Sequence, residues 1–196
     1  MRKMLPIIHR KTPSSELRER KTKAFSDFEN FHLISSINDV FSDMSFKDQF
    51  EVLERIGEGA NSIVYKCSDR TTKEIYALKS PKRSDPELLE GLRQGYEVMK
   101  TLNHKYICKA YYFFIKNKSN TCSIVTEYCA YPDLRKYITD SRKACEAIDE
   151  TSVADIIKKI LITAAYLHEM GVCHRDIKPE NVLFNSKTGD LRLIDF

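Results

Sequence analysis

Residues 174–181 read His-Arg-Asp-Ile-Lys-Pro-Glu-Asn, and a short apolar run at 182–184 follows them. A second short stretch, at 191–196, reads Leu-Arg-Leu-Ile-Asp-Phe. Earlier in the chain, a strand-like segment ends on Lys79, and a glycine-rich stretch precedes it at 56–64. The fold assignment rests on the order of these motifs and on the elements that carry them.

The glycine-rich stretch reads Ile-Gly-Glu-Gly-Ala-Asn-Ser-Ile-Val and joins two predicted strands. Glycine lets the backbone come within hydrogen-bonding distance of phosphate oxygens, where a Cβ would block the approach. The stretch is not a dinucleotide-binding fingerprint, because no strand–turn–helix unit surrounds it, and it is not a Walker loop, because no GK[ST] follows. Hairpins often carry glycine, so this stretch alone leaves a structural turn and a phosphate loop both open.

Short runs of alternating residues predict five antiparallel strands and one helix in the first half of the chain. The strands are predicted at 50–56, 62–67, 74–79, 107–115 and 122–127, and the helix at 87–102. The predicted helix places four apolar residues on one side: Leu92, Tyr96, Met99 and Leu102. This combination is an α+β unit.

After Tyr128 the pattern becomes helical, with a short helix predicted near 132–139 and a long one that opens at 151–152 and ends at Gly171. Ser152 and Asp155 have the spacing of a capping box at its start. Apolar residues follow the long helix at helical spacing: Val153, Ile156, Ile157, Ile160, Leu161, Ala164 and Leu167. The sequence therefore predicts a second, helical lobe.

The composition is that of an ordinary globular protein: of 196 residues, 42% are hydrophobic and 31% are charged. No apolar run approaches the length that crosses a bilayer, and the first residues lack the apolar core of a secretory signal. The six cysteines are scattered without a CxxC pair, which disfavours a zinc site or a disulfide framework. These features predict a cytoplasmic protein, with a nuclear location as the other option.

The net charge of +4 is uneven along the chain. Residues 1–25 hold eight Lys or Arg against two Glu, whereas residues 26–50 are net acidic. We interpret residues 1–49 as a basic, largely disordered leader with one short helix possible at 25–41. A basic leader is compatible with a nuclear-import or anionic-surface patch, and equally with a solvated tail that has no partner.

Taken together, the motifs resemble those of the protein kinase family, and the resemblance covers residues 50–196. It implies a two-lobed fold, with a five-stranded antiparallel N-lobe plus one helix, followed here by the first part of a helical C-lobe. In that fold the domain would be incomplete at its C-terminus, so we expect an exposed apolar face on the long helix and poor solubility.

The resemblance assigns the nucleotide-binding residues. Gly57 and Gly59 resemble the loop that covers the phosphates, with Ser62 at the place where a third glycine often lies, and Lys79 would hold the α- and β-phosphates. Thr126 resembles the gatekeeper that precedes the hinge. The full nucleotide-binding set implied by the family is Ile56, Gly57, Gly59, Val64, Ala77, Lys79, Glu127 and Cys129.

The same resemblance assigns the chemistry. Asp176 would orient the substrate hydroxyl and accept its proton, and Lys178 would place a cation beside the transferring phosphoryl group. Asn181 and Asp195 would hold two magnesium ions. The Lys-Pro-Glu-Asn sequence at 178–181 resembles serine/threonine kinases rather than tyrosine kinases, and it disfavours small-molecule phosphotransferases, which generally lack the lysine.

One position departs from the family pattern. Kinases carry a glutamate on the first helix that pairs with the strand lysine, and counting nine residues back from His104 reaches Gly95. The nearest acid, Glu97, is displaced by two residues, or roughly 200° around an ideal helix. Glu97 either serves after a shift of the helix or is a solvated residue on its outer face.

The function that the resemblance implies is ATP- and magnesium-dependent phosphoryl transfer to Ser or Thr hydroxyls of protein substrates. The alternative is a pseudokinase, or truncated kinase-like module, that binds nucleotide or a partner without catalysis. The expected partner is a protein substrate, with no nucleic acid and no membrane, and the sequence gives no indication of an oligomeric state.

Overall fold

The computed structural model describes residues 46–116 and 121–196. Residues 1–45 of the predicted leader at 1–49, and with them the possible helix at 25–41, lie outside these ranges. Within them, no helix combines the length and the apolar character needed to span a bilayer.

The first half of the described chain forms one antiparallel sheet in the order β1-β2-β3-β5-β4. Its strands are β1 (Phe50–Glu58), β2 (Ser62–Asp69), β3 (Ile75–Pro81), β4 (Ala110–Lys116) and β5 (Thr121–Glu127). The predicted five-stranded unit is thus confirmed, but residues 107–109 are not part of β4. The N–H of Cys108 donates to the Leu193 carbonyl at 3.0 Å, and Ile107 forms a parallel bridge with Leu193, so this segment pairs with the other half of the chain.

One face of the sheet is closed by an aromatic cluster around Phe50, which is almost completely buried. The short helix α1 (Phe46–Gln49) leads directly into β1, and the ring of Phe46 stacks on that of Phe50 at 5.4 Å. The ring of Phe114 meets Phe50 edge-on at 5.9 Å. Buried residues of β2, β3 and β5 complete the cluster: Cys67, Leu78 and Val125.

The helix α2 (Pro86–Thr101) packs on the other face of the sheet. Asp85 caps its start by accepting a hydrogen bond from the Glu87 N–H at 3.0 Å, and Pro86 occupies the first turn, where a missing N–H costs nothing. The predicted apolar side of this helix is confirmed, because all four of its residues are buried. Leu92 and Tyr96 pack with residues of β4 and β5, and Leu102 packs with the core of the helical half.

The second half of the chain is helical, as predicted, and includes one small hairpin. Its elements are α3 (Leu134–Lys143), α4 (Glu150–Glu169), a 3-10 turn (Pro179–Asn181), β6 (Val182–Phe184) and β7 (Leu191–Leu193). β6 and β7 pair antiparallel. Their side chains share a core with Ile156 and Leu167 of α4, so the hairpin that precedes Asp195 is anchored on the longest helix.

The start of α4 corrects the predicted capping box of Ser152 and Asp155. Asp149 is the N-cap: its carboxylate accepts from the Ser152 N–H at 2.8 Å and from the Ser152 hydroxyl at 2.5 Å. The Thr151 hydroxyl also bonds to it. An ionised cap at the positive end of the helix satisfies more free N–H and O–H groups than Ser152 could, so the helix begins at Glu150. The predicted end is confirmed, since Gly171 adopts φ +74° just beyond the helix.

Part of the apolar stripe on α4 faces outward. Val153, Ile157 and Leu161 are 44%, 49% and 63% exposed, whereas Ile156 and Leu167 of the same stripe are buried. The expected exposed hydrophobic face is therefore present on this helix.

The cap of α4 predicts a pH-dependent stability. Hydrogen bonds from the Ser152 and Thr151 hydroxyls and from the Ser152 N–H lower the pKa of Asp149. A lowered pKa gives stability that is complete above the unfolded value of about 3.9 and is lost as the pH falls toward the folded pKa. Asp149→Asn should therefore melt at a lower temperature than the wild type at pH 6, and the difference should shrink below pH 4. A difference in melting temperature that stays constant from pH 6 to pH 3 would contradict this origin.

Candidate active site

His174 fixes the loop that carries the predicted catalytic residues. Its ring is buried, its Nε2 lies 2.8 Å from the Ile194 carbonyl oxygen, and its Nδ1 accepts the Asp176 N–H at 3.3 Å. Because Nδ1 accepts, Nε2 carries the proton and donates to Ile194. The ring centroid also lies 4.7 Å from that of Phe196. One side chain thus connects the loop at 174–176 to the segment at 194–196.

Asp176, Lys178 and Asn181 form one hydrogen-bonded group at the start of β6. Oδ2 of Asp176 accepts from Lys178 Nζ at 2.6 Å and from Asn181 Nδ2 at 2.9 Å. Asn181 Nδ2 also donates to the Asp176 main-chain carbonyl at 2.8 Å. The hydrogen bond from Lys178, and then that from Asn181, lowers the pKa of Asp176, and Asp176 in turn raises the pKa of Lys178. Asp176 is therefore an ionised, exposed carboxylate in a fixed orientation.

The segment after β7 brings Asp195 to this group. The Ile194 N–H donates to the Asn181 carbonyl at 3.0 Å, which places the residue that follows, Asp195, beside the end of the loop at 174–181. Oδ1 of Asp195 then lies 2.8 Å from Lys79 Nζ on β3. The structure thus joins Lys79 and Asp195, two of the predicted site residues, in one ion pair between the two halves of the chain.

The strand register puts the predicted nucleotide contacts on one face of the sheet. Val64 is opposite Lys79 between β2 and β3, and Ala77 is opposite Thr126 between β3 and β5. Directly opposite residues of antiparallel strands share a face, as do residues two apart on one strand. Val64, Ala77, Thr126 and Lys79 therefore line the same surface.

The glycine-rich loop closes the end of that surface. Gly57 pairs with Val64 across the first hairpin, and the Gly59 N–H donates to the Ser62 carbonyl at 2.9 Å. A Cβ at Gly57 would lie 3.7 Å from Val64, and one at Gly59 would lie 3.5 Å from the Ser62 hydroxyl, both ordinary contact distances. The fold itself therefore has room for a Cβ at either position, so no internal contact of the loop requires glycine there. Ile56 precedes the loop and is 42% exposed.

At the other end of the surface, the Glu127 side chain is used in hydrogen bonds within the fold. Its carboxylate accepts from Arg192 Nε at 3.0 Å and from the Lys109 N–H at 3.3 Å. Because the Glu127 N–H is also bonded, to the Lys109 carbonyl at 2.8 Å, the Glu127 carbonyl and the backbone of 128–129, including Cys129, are the parts that a ligand could contact. Sequence reasoning missed Arg192, although its place between the buried Leu191 and Leu193 of β7 is a signal that it faces a different surface.

Gly95 and Glu97 occupy different surroundings. A Cβ on Gly95 would lie only 2.8 Å from the Phe196 carbonyl oxygen, so the backbone of Phe196 takes the space of a side chain there. The Oε2 atom of Glu97 is buried and makes no hydrogen bond. Among the described residues, the ion pair of Lys79 is with Asp195, and Glu97 does not take the place of the helix glutamate in this arrangement.

The donor set suits a hard divalent cation. Asn181 uses its amide nitrogen on Asp176, so the amide oxygen is the atom that could ligate a metal, and Asp195 supplies a carboxylate that is 45% exposed. Magnesium is typically held by one or two protein oxygens together with phosphates and water. The described residues contain no cluster of three or more His, Cys, Asp or Glu side chains able to hold a metal alone.

Comparison with known proteins finds one family model and several relatives that match the chain. The sequence model described as "Protein kinase domain" matches residues 50–196. The chain is 35% identical over 154 residues to human calcium/calmodulin-dependent protein kinase type IV, covering 78% of this chain and 31% of the relative. It is 31% identical over 154 residues to the MAP kinase kinase MKK1/SSP32 of Saccharomyces cerevisiae, covering 78% and 30%. It is 32% identical over 167 residues to mitogen-activated protein kinase kinase 7 of Arabidopsis thaliana, covering 85% and 52%.

The two glycines of α2 form a matched pair for testing the Phe196 contact. A Cβ at Gly91 would meet nothing within 4 Å, whereas one at Gly95 would meet the Phe196 carbonyl oxygen at 2.8 Å. Replacing glycine by alanine inside a helix gains about 0.5–1 kcal/mol when there is room. We therefore expect Gly91→Ala to raise the melting temperature by roughly 1–4 °C, and Gly95→Ala to leave it unchanged or lower it. Equal gains from both variants would show that Phe196 does not pack against Gly95.

Proposed function

Because this chain belongs to the protein kinase family, we propose that it binds ATP with magnesium and transfers the γ-phosphoryl group to Ser or Thr hydroxyls of protein substrates. One observation carries the proposal: the main-chain carbonyl and N–H of Ile194 bond His174 and Asn181, and the next residue, Asp195, pairs with Lys79. These contacts bring Asp176, Asn181, Asp195 and Lys79 together. The chain spans about a third of the human and yeast relatives that it matches and about half of the Arabidopsis one.

The shared sheet face is the proposed nucleotide surface. Val64 and Ala77 offer an apolar cover for an adenine ring, and Ile56 borders it. The backbone of Glu127 and Cys129 would bond the edge of the adenine, and the N–H groups around Gly57 and Gly59 would approach the phosphates. The ammonium of Lys79 lies on the same face, so it would exchange part of its contact with Asp195 for the α- and β-phosphates.

Asn181 and Asp195 are the residues that would hold magnesium, through an amide oxygen and a carboxylate. Magnesium, when bound, neutralises part of the phosphate charge as the phosphoryl group moves. The protein contributes the placement of both residues. Asn181 is 5% exposed and is held by Asp176, and Asp195 adopts φ 65°, a left-handed conformation that turns its side chain away from the line of β7.

Asp176 and Lys178 are the proposed catalytic residues. The lowered pKa of Asp176 means that it is ionised at neutral pH, and an ionised carboxylate can accept a hydrogen bond from a substrate hydroxyl and so orient it. Such a weak base takes the proton only as the hydroxyl oxygen loses electron density, and passes it on to water. Lys178 Nζ, 2.6 Å from Asp176, would lie beside the same reacting oxygen and offset the developing negative charge.

Several further features remain proposals. We propose a serine/threonine preference from the Lys-Pro-Glu-Asn stretch at 178–181, a protein acceptor in line with the names of the relatives, and a cytoplasmic or nuclear location. Residues 1–49 are proposed as a basic leader to the kinase domain at 50–196.

A second function, nucleotide binding without transfer, is favoured by Gly95. The helix position that would supply a carboxylate to Lys79 carries no side chain, and the Phe196 backbone lies in its space. Lys79 then depends on Asp195, a residue also proposed to hold the metal. Competition for Asp195 would slow phosphoryl transfer more than it would weaken nucleotide binding.

Phosphate transfer from labelled ATP to a generic acceptor such as casein tests the proposal. Asp176→Asn keeps the size of the side chain but removes the charge, and we expect it to lower incorporation by about 100-fold or more. Asp190→Asn is the matched control, because Asp190 lies in the β6–β7 turn, where its carboxylate accepts from the Thr188 hydroxyl. Label should appear on Ser or Thr in the wild type and in Asp190→Asn.

Equal incorporation by the wild type and Asp176→Asn would contradict catalysis by this chain. Stabilisation by magnesium and ATP in a thermal shift assay, with no transfer by any variant, would establish the second function instead.

A further inference from the structure

The Arg192 side chain joins the last strand before Asp195 to the end of β5. Leu191 and Leu193 of β7 are buried in the core of the helical half, so the side chain between them leaves the strand on the opposite face. Arg192 Nε donates to Glu127 Oε1 at 3.0 Å, and its Nη1 donates to the Leu191 carbonyl at 2.9 Å. The guanidinium is thus held from two sides, and both charged side chains are only 24% exposed.

The carboxylate of Glu127 connects three segments of the chain. Its Oε1 accepts from Arg192, and its Oε2 accepts from the Lys109 N–H at 3.3 Å. The Glu127 N–H in turn donates to the Lys109 carbonyl at 2.8 Å. A partly buried carboxylate needs such donors, because water supplies only part of its solvation. Lys109, Glu127 and Arg192 therefore form a junction between the residue before β4, the end of β5, and β7.

Two main-chain hydrogen bonds run beside this junction. The Cys108 N–H donates to the Leu193 carbonyl at 3.0 Å, and the Leu193 N–H donates to the Tyr106 carbonyl at 2.8 Å. The segment at 106–108 therefore lies along β7, and Arg192 attaches the same strand to the end of β5. The exchange of these two N–H groups with solvent is a measure of how firmly β7 is held.

The junction lies between two parts of the proposed nucleotide site. The backbone at 127–129 begins at Glu127 itself, and Asp195 follows Arg192 by three residues. Both polar main-chain groups of the intervening residues, Leu193 and Ile194, are hydrogen-bonded. The backbone between Arg192 and Asp195 is therefore held in one conformation, so the position of Asp195 depends on that of Arg192.

We propose that Arg192 is a positioning residue, which fixes the distance between the backbone at 127–129 and Asp195 so that one nucleotide can reach both. The inference rests on the proposed function, in which that backbone bonds the adenine and Asp195 holds magnesium at the phosphates. A nucleotide held at both ends binds well only where the spacing of the two contacts matches it. Arg192 acts on this spacing through Glu127 and β7.

The other ion pair between the sheet and this part of the chain is less suited to the role. Lys79 Nζ lies 2.8 Å from Asp195, but both groups are proposed to turn toward the phosphates and the metal when nucleotide binds. The Arg192–Glu127 pair has no such competing partner in the proposed site, because its carboxylate is already shared with the Lys109 N–H. It can therefore keep the spacing constant while the Lys79–Asp195 contact changes.

A positioning role and a merely structural one predict different losses of affinity. Adenosine would contact only the backbone at 127–129, whereas ATP with magnesium would contact that backbone and Asp195 together. In Arg192→Gln, Glu127 keeps both of its hydrogen bonds to Lys109, so the adenine end should change little. A general loss of structure would instead weaken both ligands equally.

Calorimetric titration of the full 196-residue chain with adenosine, and separately with ATP and magnesium, tests this difference. We expect Arg192→Gln to bind ATP with magnesium about five- to tenfold more weakly than the wild type, and to bind adenosine within about twofold of it. Titrations are made well below the melting temperature of each variant, so that only folded protein is compared.

Arg93→Gln is the matched control. Arg93 is 25% exposed, close to the value for Arg192, and it donates to both oxygens of Glu90 at 2.8 and 2.9 Å. This pair lies within α2 and joins no two segments of the chain. The substitution should therefore leave the affinities for both ligands unchanged.

Glu127→Gln is a second variant, since Arg192→Gln leaves a partly buried carboxylate without its ion-pair partner and lowers stability. The amide keeps the shape of the side chain but has one accepting oxygen for two donors, so the junction is broken from its other side. Glu127→Gln should show the same selective loss of affinity for ATP with magnesium. The double variant should lose no more than either single variant, because both break the same contact.

Hydrogen exchange without nucleotide tests the junction independently of the proposed function. The Cys108 and Leu193 N–H groups should exchange faster in Arg192→Gln than in the wild type, and at the wild-type rate in Arg93→Gln. If exchange rises in this way but the wild type binds neither ligand, the junction stands and the proposed nucleotide binding fails. Unchanged exchange, undiminished affinity of Arg192→Gln for ATP with magnesium, or an equal loss for adenosine would each overturn the positioning role.

Discussion

The main-chain N–H and carbonyl of Ile194 are both hydrogen-bonded, and the candidate site depends on the restraint that these two bonds impose. Its carbonyl accepts from His174 at 2.8 Å, and its N–H donates to the Asn181 carbonyl at 3.0 Å. These two bonds join the end of the β6–β7 hairpin to the loop that bears Asp176. Because β6 and β7 are packed on Leu167 and Ile156 of α4, the positions of the proposed metal ligands depend on the core of the helical half.

The restraint places two residues in left-handed conformations. Arg175 and Asp195 have φ 66° and 65°, and each is next to a residue of the His174–Phe196 ring contact. An uncommon backbone conformation of a residue other than glycine persists only where its surroundings enforce it. The enforced turn at Asp195 sends its carboxylate to Lys79 and the Phe196 carbonyl to Gly95, so the absent helix carboxylate and the Lys79–Asp195 ion pair belong to one arrangement.

The main elements could be predicted from sequence because their signals are local. The strands around the glycine-rich loop, the buried side of α2 and the end of α4 at Gly171 follow from spacing and residue type. The two wrong predictions have different origins, one a long-range partner and the other a local one. Ile107 is not part of β4, because its segment pairs with β7. Asp149 and not Ser152 caps α4, because its carboxylate accepts hydrogen bonds from three donors at once. The roles of the site residues stay predictions. The Arg192–Glu127 ion pair could not be predicted from the sequence, because 65 residues separate its two members.

The central claim is that Asp195 and Asn181 hold magnesium together with a nucleotide placed against Lys79. It is tested most directly by calorimetric titration of the chain with ATP, with and without magnesium, using the wild type and Asp195→Asn. We expect magnesium to tighten ATP binding by the wild type by roughly tenfold or more and to have little effect on Asp195→Asn. Equal ATP affinity of the wild type with and without magnesium, or an equal magnesium effect in Asp195→Asn, would contradict it.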